Sequence, residues 1–172
     1  MKKLKWPTTK RRISRSVATT ALLGGLMFSV GAKAGAPKVA RAVIVNAQNS
    51  PLARASFADL GTTGIRVLVQ GTDLEPGEYA VSIQETGLCN PPGFNSSGKA
   101  FGPAQGAHPA LKVGLQRTGE LNFVIPGVTL GSGKNSFFKA GGTAILLESL
   151  AGKNTGAGGD EGTRVGCGII ME

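Results

Sequence analysis

Few side chains in this chain could do chemistry, and their number limits which chemistry that is. The 172 residues contain one histidine, His108, and two cysteines, Cys89 and Cys167. Redox copper and structural zinc sites each need several nitrogen or sulfur donors, so a single imidazole can build neither. His108 stands directly before Pro109 and reads as a solvated turn residue. Two cysteines admit one intramolecular pair, with an unpaired surface thiol as the alternative. Such a pair would close a loop of roughly eighty residues, which the chain-entropy account values at about 4 to 5 kcal/mol. Glu85 and Glu148 each follow a strand-like run. Paired carboxylates can do acid/base work, but at strand ends they read as structural or solvated groups. Asp160-Glu161 beside Gly158-Gly159 lacks the further spaced oxygen ligands of a calcium site. Asn95-Ser96-Ser97 fits a glycosylation sequon, idle behind a bacterial-looking leader. The chain holds no nucleophile elbow, P-loop, C-x-x-C or H-E-x-x-H.

The elements that must position these residues read as β-strands. In GEYAVSIQETGLC, Gly77 to Cys89, residues Tyr79, Val81 and Ile83 alternate with Glu78, Ala80, Ser82 and Gln84, the period-2 pattern of a sheet with one buried face. Its C-terminal partner is GTRVGCGII, Gly162 to Ile170. Strands are expected near 40–46, 53–60, 64–70, 78–85, 110–116, 119–125, 143–148 and 164–170, with no helical stripe of ten residues beyond the leader. Eight strands imply a sandwich or barrel. Asn49-Ser50-Pro51, Gly61-Thr62-Thr63-Gly64 and Thr118-Gly119 are spaced like hairpin turns, whereas the longer connections at 86–109, 126–142 and 149–163 suit Greek-key crossings. Val43, Val45, Phe57, Val67, Val69, Val81, Ile83, Phe123, Ile145 and Leu147 are the expected core.

The net charge of +9 suggests nucleic acid at first sight, but its distribution removes that reading. Residues 1–34 hold eight of the nineteen basic residues and none of the ten acidic ones, so the remainder has eleven against ten, or +1. The same stretch has the three parts of a secretory signal: Lys2, Lys3, Lys5, Lys10, Arg11, Arg12 and Arg15, then an apolar run from Val17 to Val30, then Ala32-Lys33-Ala34. Cleavage is expected after Ala34, leaving 35–172 as one domain. A membrane anchor is the competing reading, disfavoured because the run falls short of about 20 residues. Arg11-Arg12 is followed by Ile13-Ser14-Arg15 and lacks the apolar pair of a twin-arginine signal, so ordinary secretion is expected. Export to the periplasm or beyond the cell is where a disulfide persists.

Four stretches in order resemble the copper/zinc superoxide dismutase family over roughly residues 38–170. GEYAVSIQETGLC is similar to that family's H-x-x-H-x-H-E-x-G-x-C strand, and FNSSGKAFGP, Phe94 to Pro103, to its F-x-S-x-G-x-H-F-x-P loop. GGTAILLES resembles the strand bearing V-H-E, and GTRVGCGII resembles G-x-R-x-x-C-G-x-I. The resemblance implies an all-β, eight-stranded Greek-key barrel or sandwich. It also implies a Cys89–Cys167 disulfide and, at Arg164, the family arginine that attracts an anion and braces the disulfide loop. Carried across by residue, the family's metal ligands fall on Ser82, Gln84, Ala100, Ala107 and Leu147, none of them a good copper or zinc donor. Its acidic pair after V-H-E falls on Ala151 and Gly152.

The reading that follows is a secreted, non-catalytic superoxide dismutase-like protein with no catalytic residue and no cofactor. It would act as a structural or binding module toward an unidentified protein partner, with neither nucleic acid nor, after signal cleavage, a membrane involved. The family's habit of pairing through apolar barrel surface allows a homodimer. The alternatives are superoxide dismutation at an unconventional metal site, and a module that handles copper or docks on a true dismutase. Soft ligands are scarce for the last, since Met171 is the sole methionine after the leader.

Overall fold

A computed structural model describes residues 38–106, 109–151 and 163–172. All eight expected strands form. They are β1 (Val39–Val45), β2 (Pro51–Asp59), β3 (Ile65–Gly71), β4 (Gly77–Gln84), β5 (Ala110–Val113), β6 (Gly119–Ile125), β7 (Ala144–Ser149) and β8 (Thr163–Ile169). Every ladder is antiparallel, and the strand order is β5-β4-β7-β8-β1-β2-β3-β6. The two end strands, β5 and β6, are joined by the turn at 114–118, where the Gly114 N–H donates to Thr118 and the Arg117 N–H to Gly114. This turn brings the ends of the sheet together and nearly closes it into a barrel. Among the described residues the only helical segments are three short 3-10 turns.

The hairpin turns fall where glycine, asparagine and proline place them. At Gly64, φ is +109° and a Cβ would lie 2.1 Å from the Ile125 carbonyl oxygen, so only glycine lets β2 return into β3 at that point. Two of the expected Greek-key crossings are instead connections between neighbours, because β4 pairs directly with β5 and β7 with β8. The crossings that skip strands are 72–76 and 126–143. The first is short, and side chains hold it down: Arg117 donates to Asp73 at 2.8 Å and to Glu75, and Tyr79 Oη donates to the Glu75 carbonyl at 2.7 Å.

Inside the barrel lie Ile44, Phe57, Ile65, Val67, Val69, Val81, Ile83, Leu111, Ile125, Ile145 and Leu147. Two expected core residues are corrected: Val43 faces outward at 49% exposure and Val45 is only partly buried, whereas Phe123, also partly buried, packs against the core. β1 reads VARAVIV, with small and branched apolar residues on both faces, so alternation alone does not say which face is inside. The structure buries Ala40, Ala42 and Ile44. They share that core with Phe57 and Phe137, whose rings meet edge to face at 5.8 Å.

The long crossing at 126–143 is fastened by a carboxylate that the sequence did not single out. Asp59, at the end of β2, accepts from the Leu130 N–H, the Thr129 hydroxyl and the Gly61 N–H, each at 2.8 Å. The Leu130 N–H holds its pKa below the usual aspartate value, against partial desolvation, with help from Gly61, Thr129 and the charge of Lys38. A depressed folded-state pKa contributes stability that is present above the unfolded value and is lost as pH falls through the folded value. Asp59→Ala is expected to cost about 2 kcal/mol at neutral pH, because the N–H of buried Leu130 loses a charged acceptor. It should also flatten the loss of stability below about pH 4, measured by urea melts across pH. Equal acid sensitivity in both proteins would refute the assignment.

Candidate functional site

The ladder register decides which residues share a face with Ser82 and Gln84. Val81 and Ile83 point into the barrel, so Ser82 and Gln84 point out, toward the loop after β4. Across the ladder, Ser82 pairs with Leu146 and Gln84 with Ala144. Leu147 pairs with Val81 and packs in the interior core. Leu147 is thus inside, as expected for the core, and the leucine on the face of Ser82 and Gln84 is Leu146. In AILLES both faces are apolar, which hides the one-residue difference in the sequence.

This face is covered by the chain's own loop. Phe94 in left-handed conformation, with φ of 55°, turns its ring onto Ala144, Leu146 and Cys167, and Cys89 packs at the margin. Phe94, Ala144, Leu146 and Cys167 are almost completely buried. Cys89 and Cys167 are bonded, with Cα atoms 5.6 Å apart and a sequence separation of 78, so the disulfide anchors the covering loop to β8.

Ser82 and Gln84 are buried as well, and their polar atoms are used internally. With the Gln84 amide oriented to satisfy both its ends, Nε2 donates to the carbonyls of Gly98 at 3.1 Å and Lys99 at 3.2 Å, while Oε1 accepts from Ser82 Oγ at 2.7 Å. Ala100 bridges to Gln84 through the backbone, and the Glu85 and Thr86 N–H groups donate to Lys99 and Ser97. The segment 97–101 thus runs along the edge of β4 like a short added strand. Among the described residues no buried side-chain nitrogen or oxygen lacks a partner, so no orphaned donor or acceptor waits for a ligand here.

The retained arginine braces this lid. Arg164 Nη1 donates to the Phe94 carbonyl at 3.3 Å and lies 3.5 Å from Asn95 Oδ1, while Nε is 3.5 Å from Glu148. Both charged side chains are mostly buried, so each needs the other. Glu148 is thereby committed to a structural ion pair. Glu85 is partly buried, and its carbonyl accepts from Lys139, whose ammonium also sits 5.7 Å from the Phe101 ring centre. The two glutamates have separate partners and form no acid/base pair. Ala107, His108, Gly152 and the Gly158-Gly159-Asp160-Glu161 run lie outside the described residues.

The donor set does not fit copper or zinc. A hydroxyl and an amide already engaged with each other, two alanines and a leucine supply no imidazole, thiolate or carboxylate. Among the described residues no cluster of three histidine, cysteine or acidic side chains occurs. Sequence reasoning missed Phe94 and Leu146. Pairing the two strands in register would have found Leu146, whereas a loop aromatic carries no periodic signal.

Comparison with known proteins agrees with this architecture. Residues 51–170 match the family model for copper/zinc superoxide dismutase (SODC). "Superoxide dismutase [Cu-Zn] 2" of Aquifex aeolicus is 28% identical over 167 residues, covering 88% of this chain and 97% of that protein. "Superoxide dismutase [Cu-Zn] 1" of the same organism is 29% identical over 143 residues, covering 74% and 84% respectively. Among solved structures, a SOD-like protein from Bacillus subtilis superposes with a TM-score of 0.64 at 21% identity, covering 75% of this chain and 96% of that one. A double mutant of a SOD-like protein from the same organism, carrying two introduced histidines, gives 0.65 at 22%, covering 77% and 97%. Matched over well over half its length, and built on the same barrel, the chain belongs to the copper/zinc superoxide dismutase family.

Proposed function

We propose that this family member is an exported, non-catalytic protein that uses the dismutase barrel as a structural or binding module. The observation that carries the reading is the sealed outer face of β4 and β7. Where the resemblance sets copper ligands, Ser82 and Gln84 satisfy each other and the backbone of the loop, and Phe94 packs on Leu146 beside them. Superoxide dismutation needs a metal that cycles between oxidation states within reach of solvent. This face offers neither the donors nor the opening. The basic and apolar leader, together with the disulfide, supports export.

The test is metal content and superoxide turnover on one purified sample. After exposure to copper and zinc followed by desalting, the chain should carry well under one metal per molecule and show no turnover above buffer. About one copper per chain with turnover would overturn the reading and require a metal site assembled from other residues.

A further inference from the structure

The outward face of β8, β1, β2, β3 and β6 lies on the other part of the barrel from the sealed site, and its composition is unusual for plain solvent-facing surface. The register sorts its side chains into three rows. Val43, Arg54, Gln70 and Glu120 form one; Arg41, Ser56, Leu68 and Asn122 the next; Val39, Ala58, Arg66 and Val124 the third. β8 extends the first two rows. Val45 pairs with Cys167 and Arg41 with Met171, which sets Ile169 opposite Val43. Five of the seven most exposed large apolar side chains among the described residues therefore sit here: Val39, Val43, Val124, Ile169 and Met171.

Three arginines stand among them. Arg41, Arg54 and Arg66 are exposed and, among the described residues, have no carboxylate within ion-pairing distance. The one acid in the rows, Glu120, accepts from Gln70. Ser56, Ala58 and Leu68 floor a shallow depression between Arg41 and Arg66. Strand spacing of about 4.8 Å and a same-face repeat of about 6.8 Å place the Cα of Arg41 roughly 8 Å from that of Arg54, and Arg54 roughly 14 Å from Arg66. Arg41 lies roughly 12 Å from Arg66, so the three form a triangle rather than a line. Same-face side chains of an extended peptide repeat at about 7 Å and 14 Å, so acids four residues apart span Arg54 and Arg66, and Arg41 stands about 7 Å to one side, within reach of an acid between them.

We propose that this face docks an extended acidic polypeptide segment of a partner protein, its carboxylates on Arg41, Arg54 and Arg66 and its apolar side chains on the valines, Ile169 and Met171. Arginine and methionine are favoured interface residues, and an exposed apolar patch rimmed by unpaired charge marks a docking surface. Charge complementarity selects the occupant. A second copy laid face to face would set arginines against arginines. A membrane surface would call for tryptophan, phenylalanine or leucine reaching outward, and single-stranded nucleic acid for stacking aromatics. The rows contain no aromatic residue. The proposal names a partner for the binding-module reading and rests on it only in that respect, since it uses none of the residues of the sealed face.

The test is fluorescence anisotropy of the purified chain with a labelled peptide of repeating Glu-Ser-Val-Ser, which sets Glu and Val alternately on one face of the extended chain, in low and in physiological salt. Salt-weakened binding is expected, and a triple Arg41→Glu, Arg54→Glu, Arg66→Glu variant should bind at least about tenfold more weakly. A charge-matched Lys99→Glu, Lys112→Glu, Lys134→Glu variant should bind within about twofold of the parent, because its charges lie off this face. Circular dichroism and thermal melts confirm that both variants fold. Absence of peptide binding, equal loss in the two variants, tighter binding to phosphatidylglycerol vesicles or to oligonucleotide, or an arginine-dependent dimer would each overturn the proposal. The metal and turnover assay is unaffected by any of these results, so the two readings fail separately.

Discussion

Replacing Cys89 and Cys167 by serine is expected to lower folding stability by about 4.5 kcal/mol. The bond closes 78 residues, from the loop after β4 to β8, and so removes much of the freedom of the unfolded chain. The cost should appear as a drop of roughly 10 to 20 °C in Tm and as a lower urea midpoint with a steeper slope, because the unfolded chain without the cross-link exposes more surface. Dithiothreitol should reproduce it in the parent protein. A second effect is local. Cys89 holds the loop whose Phe94 covers Leu146, and Arg164 adds only two long hydrogen bonds to that loop. Reduction should therefore speed amide exchange between 86 and 101 before the rest of the barrel opens. A reduced protein with unchanged midpoint and unchanged exchange would show that the loop is held by its backbone ladder to β4 instead.

Strand placement was legible because each run is bounded by turn residues and alternates over at least one face. Tyr79, Val81 and Ile83 announce their face unambiguously, since Glu78, Ser82 and Gln84 are polar. The same rule fails where both faces are apolar. In β1 the choice between Val43 and Ile44, and in β7 the choice between Leu146 and Leu147, turns on pairing with neighbouring strands. The loss of ligand chemistry was readable residue by residue. The sealing of that face was not, because it depends on a phenylalanine in a left-handed turn at 94 and on an amide that reaches across to another segment's carbonyls. Connections were the weakest part. A five-residue link crosses between non-adjacent strands while a connection of some two dozen residues joins adjacent ones, since loop length reports the cargo a loop carries as much as the distance it spans.

Phe137→Ala should cost about 3 to 5 kcal/mol, within the range for emptying a fully buried aromatic site. Phe137 belongs to the crossing at 126–143 and has no place in any strand pattern, yet it is completely buried. Its ring packs edge to face on Phe57 from β2 at 5.8 Å and on Phe101 from the loop after β4 at 6.0 Å. Its carbonyl accepts from the buried Thr143 hydroxyl, just ahead of β7. One side chain thus joins three segments that the backbone ladders leave separate. Because the ring is completely buried and held between the rings of Phe57 and Phe101, the cavity term should be near its upper range. Phe137→Leu keeps much of the volume and should recover more than half of the loss. If urea melts gave Phe137→Ala a penalty under about 1 kcal/mol, the crossing would have to be a lid over a core already closed beneath it, rather than part of that core.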